Sequence, residues 1–298
     1  MRITTCTYAA SKIYGEARAL QVLSEIGFDG VDYSGFFHDA TKGLWARSIT
    51  EVLEHYKELK RVGNAAGIAF AQMHAPFPSY IEGSSDNPAI FSALEKSILA
   101  CRALDCKYLV MHPPVLWERR YDKLTAENYA LALDMYARLL PTLRETDAMI
   151  AIENMFNYDP ASDRLCPTVA STAEEMCRMI DELNALAGEA RFAACLDTGH
   201  AVISGDGPAA MARTLGQRLH VLHVQDNDGK NDQHDVPHTG IVDWQEFMRA
   251  LSEIGYSGNF NFEADTFMAK FGPRLFTESA KMQLAIGKDL IENCYPMR

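Results

Sequence analysis

The 298-residue chain has seven cysteines but no C-x-x-C pair, which argues against a disulfide frame or a thiolate zinc site and leaves them as reduced core residues. No apolar run is long enough to span a bilayer, so no membrane partner is expected. The first residues, MRITTCTYAASK, lack the apolar stretch of a secretory signal, and the expected location is the cytoplasm. Basic residues are in deficit. The 28 Lys and Arg face 40 Asp and Glu, and the resulting charge of −12 disfavours extended contact with phosphate backbones, so no nucleic-acid partner is expected. No proline-rich or low-complexity linker interrupts the chain, so residues 1–298 read as one domain.

Hydrophobic residues at 48% and charged residues at 23% suit a globular protein with a substantial core. Strand-like runs fall at 2–7, 30–33, 68–73, 108–111, 149–152, 192–196, 220–224 and 259–262. Helical apolar stripes lie between and after them, at 16–26, 51–66, 89–104, 126–145, 173–187, 208–215, 244–254 and 274–293. Ser171 with Glu174 and Asp243 with Glu246 have capping-box spacing, and Gly27, Gly67 and Gly255 stand where a left-handed helix stop is wanted. The segments LSEIGFDGVDYS and LSEIGYSGNFNFE repeat one plan, in which a helix end is followed by a glycine stop and a strand. Eight βα units without a G-x-G-x-x-G turn point to an α/β protein of one (β/α)8 TIM barrel rather than an open doubly wound sheet.

Polar residues gather where such a barrel has its active rim, at the C-terminal ends of the strands. The runs that open at 68, 108, 149, 192, 220 and 259 lead into His74, into His112, into Glu153, into Asp197 and His200, into His223, and into Glu263. So many ionisable groups buried together cost several kcal/mol per charge unless a cation offsets them. Beyond His223, residues 225–240 lose all hydrophobic period and become dense in carboxylates and imidazoles. There Asp232 and His234 form a D-x-H pair able to offer two ligands to one ion of the zinc, manganese or iron kind. His38 and His55 lie away from the strand ends and are expected on the surface, while His220 should pack outward against a helix. Trp117, Tyr121 and Phe156 follow ligand-bearing strands and are candidates for the apolar wall of a substrate pocket. Lys230, in the DNDGK turn, could meet an anionic substrate or simply face solvent.

The ordered set MHAPF, MHPP, IENM, LDTGHA, LHVQDNDGKNDQH and FNFEAD resembles the sugar phosphate isomerase/epimerase family, whose xylose isomerase-like barrels include the endonuclease IV group. The resemblance covers nearly the whole chain. It implies a metal held by Glu153, Asp197, His223 and Glu263. It also implies a further ion shared by His74 and His112 with Glu153, and another held by His200, Asp232 and His234. One to three divalent ions (Mn, Zn, Co or Mg) are therefore expected. Glu153 and Glu263 would be the acid and base of a sugar, sugar phosphate or inositol-derived ketone isomerase or epimerase, moving protons through a metal-bound enediolate. A small carbohydrate is the expected partner, with homo-oligomerisation possible for such a barrel. The alternatives are an endonuclease IV-like multinuclear zinc phosphodiesterase and a catalytically silent metal- or sugar-binding barrel. Two departures stand out. D-x-H replaces the arginine-bearing segment usual in ketose 3-epimerases. Pro237-His238-Thr239-Gly240 replaces the usual P-G-x-G, so that His238 is expected to reshape the pocket mouth.

Overall fold

The computed structural model describes residues 1–116 and 125–294. Eight parallel strands form the barrel. They are β1 (Ile3–Cys6), β2 (Gly30–Ser34), β3 (Ala69–His74), β4 (Tyr108–Met111), β5 (Met149–Glu153), β8 (Phe192–Asp197), β9 (Leu219–His223) and β10 (Phe260–Phe262), in the order β10-β1-β2-β3-β4-β5-β8-β9. A short antiparallel hairpin, β6 (Phe156–Asp159) and β7 (Arg164–Pro167), follows β5. The ring closes just past β9. The Val224 amide donates to the Asn261 carbonyl at 2.8 Å, and the Glu263 amide donates to the Val224 carbonyl at 3.1 Å.

The long helices α2 (Glu16–Ile26), α3 (Ile49–Ala66), α4 (Asn87–Ala103), α5 (Thr125–Arg144), α6 (Ala173–Ala187), α8 (Pro208–Leu215), α9 (Trp244–Glu253) and α11 (Phe276–Asp289) cover the barrel. The main hydrophobic core lies between them and the sheet. Inside the barrel a second apolar layer is formed by Val110, Ala151, Cys195 and Val221. Strand side chains alternate with period two, so the next inward position on these four strands is His112, Glu153, Asp197 and His223. That register raises the ligand candidates onto one rim above an apolar floor.

Three short helices were not read from the pattern: α1 (Tyr8–Tyr14), α7 (Thr198–Ser204) and α10 (Asp265–Lys270). Each follows a barrel strand on the rim and is too short to show a helical repeat. The expected cap at Ser171 moves by one residue. Thr172 caps α6, accepting from the Glu175 amide, because the Ser171 hydroxyl is engaged in the preceding turn, donating to the Thr168 carbonyl at 2.6 Å. Asp243 caps α9 through the Glu246 amide at 3.0 Å, and Ser48 with Glu51 forms a full capping box at α3. All seven cysteines are free, four of them buried. No helix of the described residues is long and apolar enough to cross a membrane.

Candidate metal centre

The nine expected ligands, five imidazoles and four carboxylates, converge at the C-terminal rim. At the centre, His223 Nδ1 lies 2.9 Å from Glu153 Oε1 and 2.9 Å from Glu263 Oε2, and Asp197 completes a buried four-residue group. To one side, His74 Nε2 and His112 Nε2 are 3.1 Å apart and lie 3.4 and 3.0 Å from Glu153 Oε2. A tetrahedral ion bound at about 2.0–2.1 Å has ligand-to-ligand edges of about 3.3 Å, so this triangle has the dimensions of such a site. To the other side, Asp232 bridges His234 Nε2 at 2.8 Å and His200 Nε2 at 3.5 Å.

Local sequence explains why these groups point inward. Asp197 is the N-cap of α7, and its Oδ1 accepts the His200 amide at 2.7 Å, so the D-x-x-H spacing places both residues on one helical turn. Its other oxygen, Asp197 Oδ2, is buried without a hydrogen bond, and a buried carboxylate oxygen left this way calls for a cation. A Cβ at Gly199 would overlap the Gln225 side chain, whose amide donates to Asp197 Oδ1 at 3.2 Å and to Asp232 Oδ1 at 2.7 Å. Gln225 thus ties the central group to the third.

Four imidazoles are oriented by their second nitrogen. His74 Nδ1 donates to the Ala75 carbonyl at 2.7 Å, His200 Nδ1 to the Asn154 carbonyl at 2.8 Å, and His234 Nδ1 to the Glu263 carbonyl at 2.8 Å. His223 Nε2 instead meets the Asp32 carboxylate. A carbonyl can only accept, so these contacts set the tautomer and leave the opposite nitrogen's lone pair facing the carboxylates, the arrangement a ligating histidine needs. The residues present therefore fit divalent ions that accept nitrogen and oxygen ligands.

Without metal, protons hold the cluster together. Burial pushes Asp197 up to about 7. Burial opposes protonation of His200, yet Asp197, Asp232 and Glu153 outweigh it and raise the imidazole to about 10. Glu263 is raised by burial and by Glu153, but His223 and His234 bring it down to about 2.

A cavity of about 500 Å³ opens above the cluster, walled by Tyr8, Phe36, Phe77, Met155 and Phe156. Among the described residues no lysine or arginine lines it. Phe156 joins the wall, its ring edge-on to His200 at 4.9 Å between centroids, whereas Trp117 and Tyr121 lie outside the described residues. Lys230 and His238, expected at the pocket, are exposed on the loop after β9 and neither lines this cavity; the His238 amide donates to Asp226 at 3.0 Å. His38 and His55 are also corrected: instead of free surface positions, both are partly buried against Glu16. His220, expected outward against a helix, packs instead on Tyr108 of β4, ring centroids 5.6 Å apart. The sequence assigns no individual role to Asp32, Asn154, Gln225 or Asp226; Asp226 stands out only as one carboxylate of the polar 225–240 loop, and Asp32 as a lone carboxylate inside an apolar strand.

Comparison with known proteins agrees with this fold. A family model described as the xylose isomerase-like TIM barrel matches residues 20–283. An uncharacterized protein of Mycobacterium leprae is 26% identical over 261 residues, spanning 83% of this chain and 83% of its own. A crystal structure of a D-tagatose 3-epimerase-like protein superposes with a TM-score of 0.72 at 18% identity, covering 98% of this chain and 99% of its own. The IOLI protein with a bound zinc atom superposes with a TM-score of 0.74 at 16% identity, covering 100% of both chains. At these identities the two solved structures bear on the fold.

Proposed function

The chain belongs to the xylose isomerase-like TIM barrel family, and from that premise we propose that it is a divalent-metal-dependent isomerase or epimerase of a small sugar, sugar phosphate or inositol-derived ketone. One observation carries the reading. Glu153 and Glu263, from strands three places apart round the rim, reach the same nitrogen of His223 and both line the small cavity. Two carboxylates on different sides of one bound molecule are what proton removal and return require.

A bound divalent ion would supply Lewis acidity toward a carbonyl and its neighbouring hydroxyl. The residues that would hold it at the centre are Glu153, Asp197, His223 and Glu263. Despite burial, Glu153 is kept well below the usual carboxylate range by His223 and His112, so it stands ready as a base, as does Glu263. One carboxylate takes the proton from the carbon beside the carbonyl while the C–H electron pair moves toward the carbonyl oxygen. Return of a proton to the former carbonyl carbon, with the hydroxyl proton passing from the adjoining oxygen to the former carbonyl oxygen, completes an isomerisation; return to the opposite face of the same carbon completes an epimerisation. The aromatic side chains of Tyr8, Phe36, Phe77 and Phe156 wall the cavity, whose volume lies within the ~300–1,000 Å³ typical of small-molecule sites.

A second reading, phosphodiester hydrolysis of the endonuclease IV kind, is favoured by the third group of His200, Asp232 and His234, which a single-ion isomerase does not require. The small size of the cavity, about 500 Å³, and the charge of −12 weigh against a duplex substrate. The two are separated by incubating metal-loaded protein in deuterated water with a panel of ketoses, aldoses, inositol-derived ketones and their phosphates, alongside abasic DNA. Conversion with deuterium on the carbon beside the carbonyl is expected. DNA cleavage with no exchange anywhere in the panel would replace the first reading by the second.

A further inference from the structure

We infer that Glu16, His38 and His55 form a second, separate divalent-metal site of the zinc class on the flank of the rim, clamping the start of α2, the segment after β2, and α3. This site shares no residue with the barrel cluster and does not depend on the function proposed above.

The three side chains come from positions 22 and 39 residues apart yet meet at one atom. His38 Nε2 lies 3.2 Å and His55 Nε2 3.3 Å from Glu16 Oε1, and the three ligand atoms belong to one compact group. Charge-assisted hydrogen bonds between such groups run at about 2.7–2.9 Å. The two edges that end at Glu16 Oε1, 3.2 and 3.3 Å, are close to the ~3.3 Å edge of a tetrahedral ion with ligands at about 2.0–2.1 Å. Donor counting points the same way. Tyr33 already donates its phenol to Glu16 Oε1 from the buried side, so two imidazole donors as well would place three protons on an oxygen with two lone pairs. With a cation, the imidazoles and Oε1 become ligands, and Tyr33 supplies the hydrogen bond that a ligating carboxylate commonly receives.

The rings are held by packing. His38 stands edge-on to Phe37 at 5.2 Å, and His55 edge-on to Tyr56 at 5.3 Å. Side-chain exposures of 15% for Glu16, 21% for His38 and 29% for His55 leave an entry path and a fourth position for water. Two imidazoles and one carboxylate suit zinc over magnesium or calcium, which prefer oxygen. His38 lies two residues beyond Phe36, and Glu16 follows α1, whose Tyr8 ring sits 5.1 Å from Phe36; both rings wall the barrel cavity. An ion here holds that wall in place without touching substrate.

The test uses crystals of the full chain soaked in zinc, with an anomalous difference map recorded at the zinc edge. A peak about 2.0–2.3 Å from Glu16 Oε1, His38 Nε2 and His55 Nε2 is expected. A map with no peak there overturns the inference, whatever the occupancy of the barrel centre. Elemental analysis supplies the second reading: His38→Ala and His55→Ala should each lose about one equivalent of zinc per chain, while Asp197→Ala loses zinc from the barrel centre and keeps this one. Wild-type zinc content in both histidine variants would mean a hydrogen-bonded cluster only.

Discussion

Asp32 Oδ2 stands 2.9 Å from His223 Nε2, joining residues 191 apart in the chain, both buried in the barrel. Gln72 and Asn261 donate to the same oxygen at 2.9 and 3.3 Å, so the carboxylate is fixed before it fixes the imidazole. The ring is thereby turned to present Nδ1 to Glu153 and Glu263. Asp32→Asn should weaken metal binding at the centre by about 10–100-fold, the usual effect of losing an orienting partner, with little change in fold. Zinc affinity by competition with a chromophoric chelator measures this, and wild-type affinity would remove Asp32 from the metal machinery.

Asp197→Ala or His223→Ala should abolish metal at the central group, since each removes a side chain that belongs to it. His220→Ala is the control: its ring packs on Tyr108, and the variant should keep its full metal content. Elemental analysis of the three purified variants decides the matter, and undiminished metal in both ligand variants would refute the assignment.

The metal-free protein should lose stability as pH rises. His200 is raised to about 10 against ~6.5 unfolded, so its contribution is complete below about pH 6.5 and lost as pH passes through about 10. Asp197, raised by burial to about 7 from ~3.9 unfolded, also binds its proton more tightly when folded, and its contribution fades between about pH 4 and about pH 7. Metal binding releases such protons and therefore strengthens with pH. Thermal unfolding with and without zinc between about pH 6 and about pH 9 should show a falling metal-free Tm and a widening zinc-dependent gain. A gain that narrows with pH would contradict this account.

Glu263→Gln keeps the side chain's shape but removes the charge that both faces the metal position and accepts a proton. Solvent deuterium exchange into the true substrate should slow by at least ~10²–10⁴-fold, the range for a general base alone. Exchange at the wild-type rate, followed by proton NMR, would take Glu263 out of the proton path.

Asp226 organises the loop that carries the third ligand group. Its buried carboxylate accepts from the Asn227 amide at 3.0 Å, the Val242 amide at 3.2 Å, the His238 amide at 3.0 Å and the Trp244 indole at 2.9 Å. A Cβ at Gly240 would overlap both Asp226 and the Asn227 carbonyl, so that position tolerates only glycine. Asp226→Ala leaves four donors unpaired, three of them on the buried residues Asn227, Val242 and Trp244, and should cost about 3 kcal/mol or more. Calorimetry should show a Tm lower by several degrees, together with loss of metal at His200, Asp232 and His234.

The eight strands, the long helices and the nine rim residues were legible because each leaves a one-dimensional trace. A parallel strand covered on both faces is a run of apolar residues, and a ligand at its end interrupts that run two places beyond an inward Val110, Ala151, Cys195 or Val221. The short rim helices α1, α7 and α10 leave no such trace, since one or two turns are held by tertiary contacts rather than by a repeating stripe. The roles of Asp32, Gln225 and Asp226 were settled only when strands and loops distant in the chain came within hydrogen-bonding reach. The same is true of Glu16, His38 and His55: no spacing links a helix start, a loop and a helix interior, and barrel closure alone brings them to one carboxylate oxygen. Residue type and period are properties of the chain taken in order, whereas a metal site depends on distances of a few ångströms that only the closed ring defines.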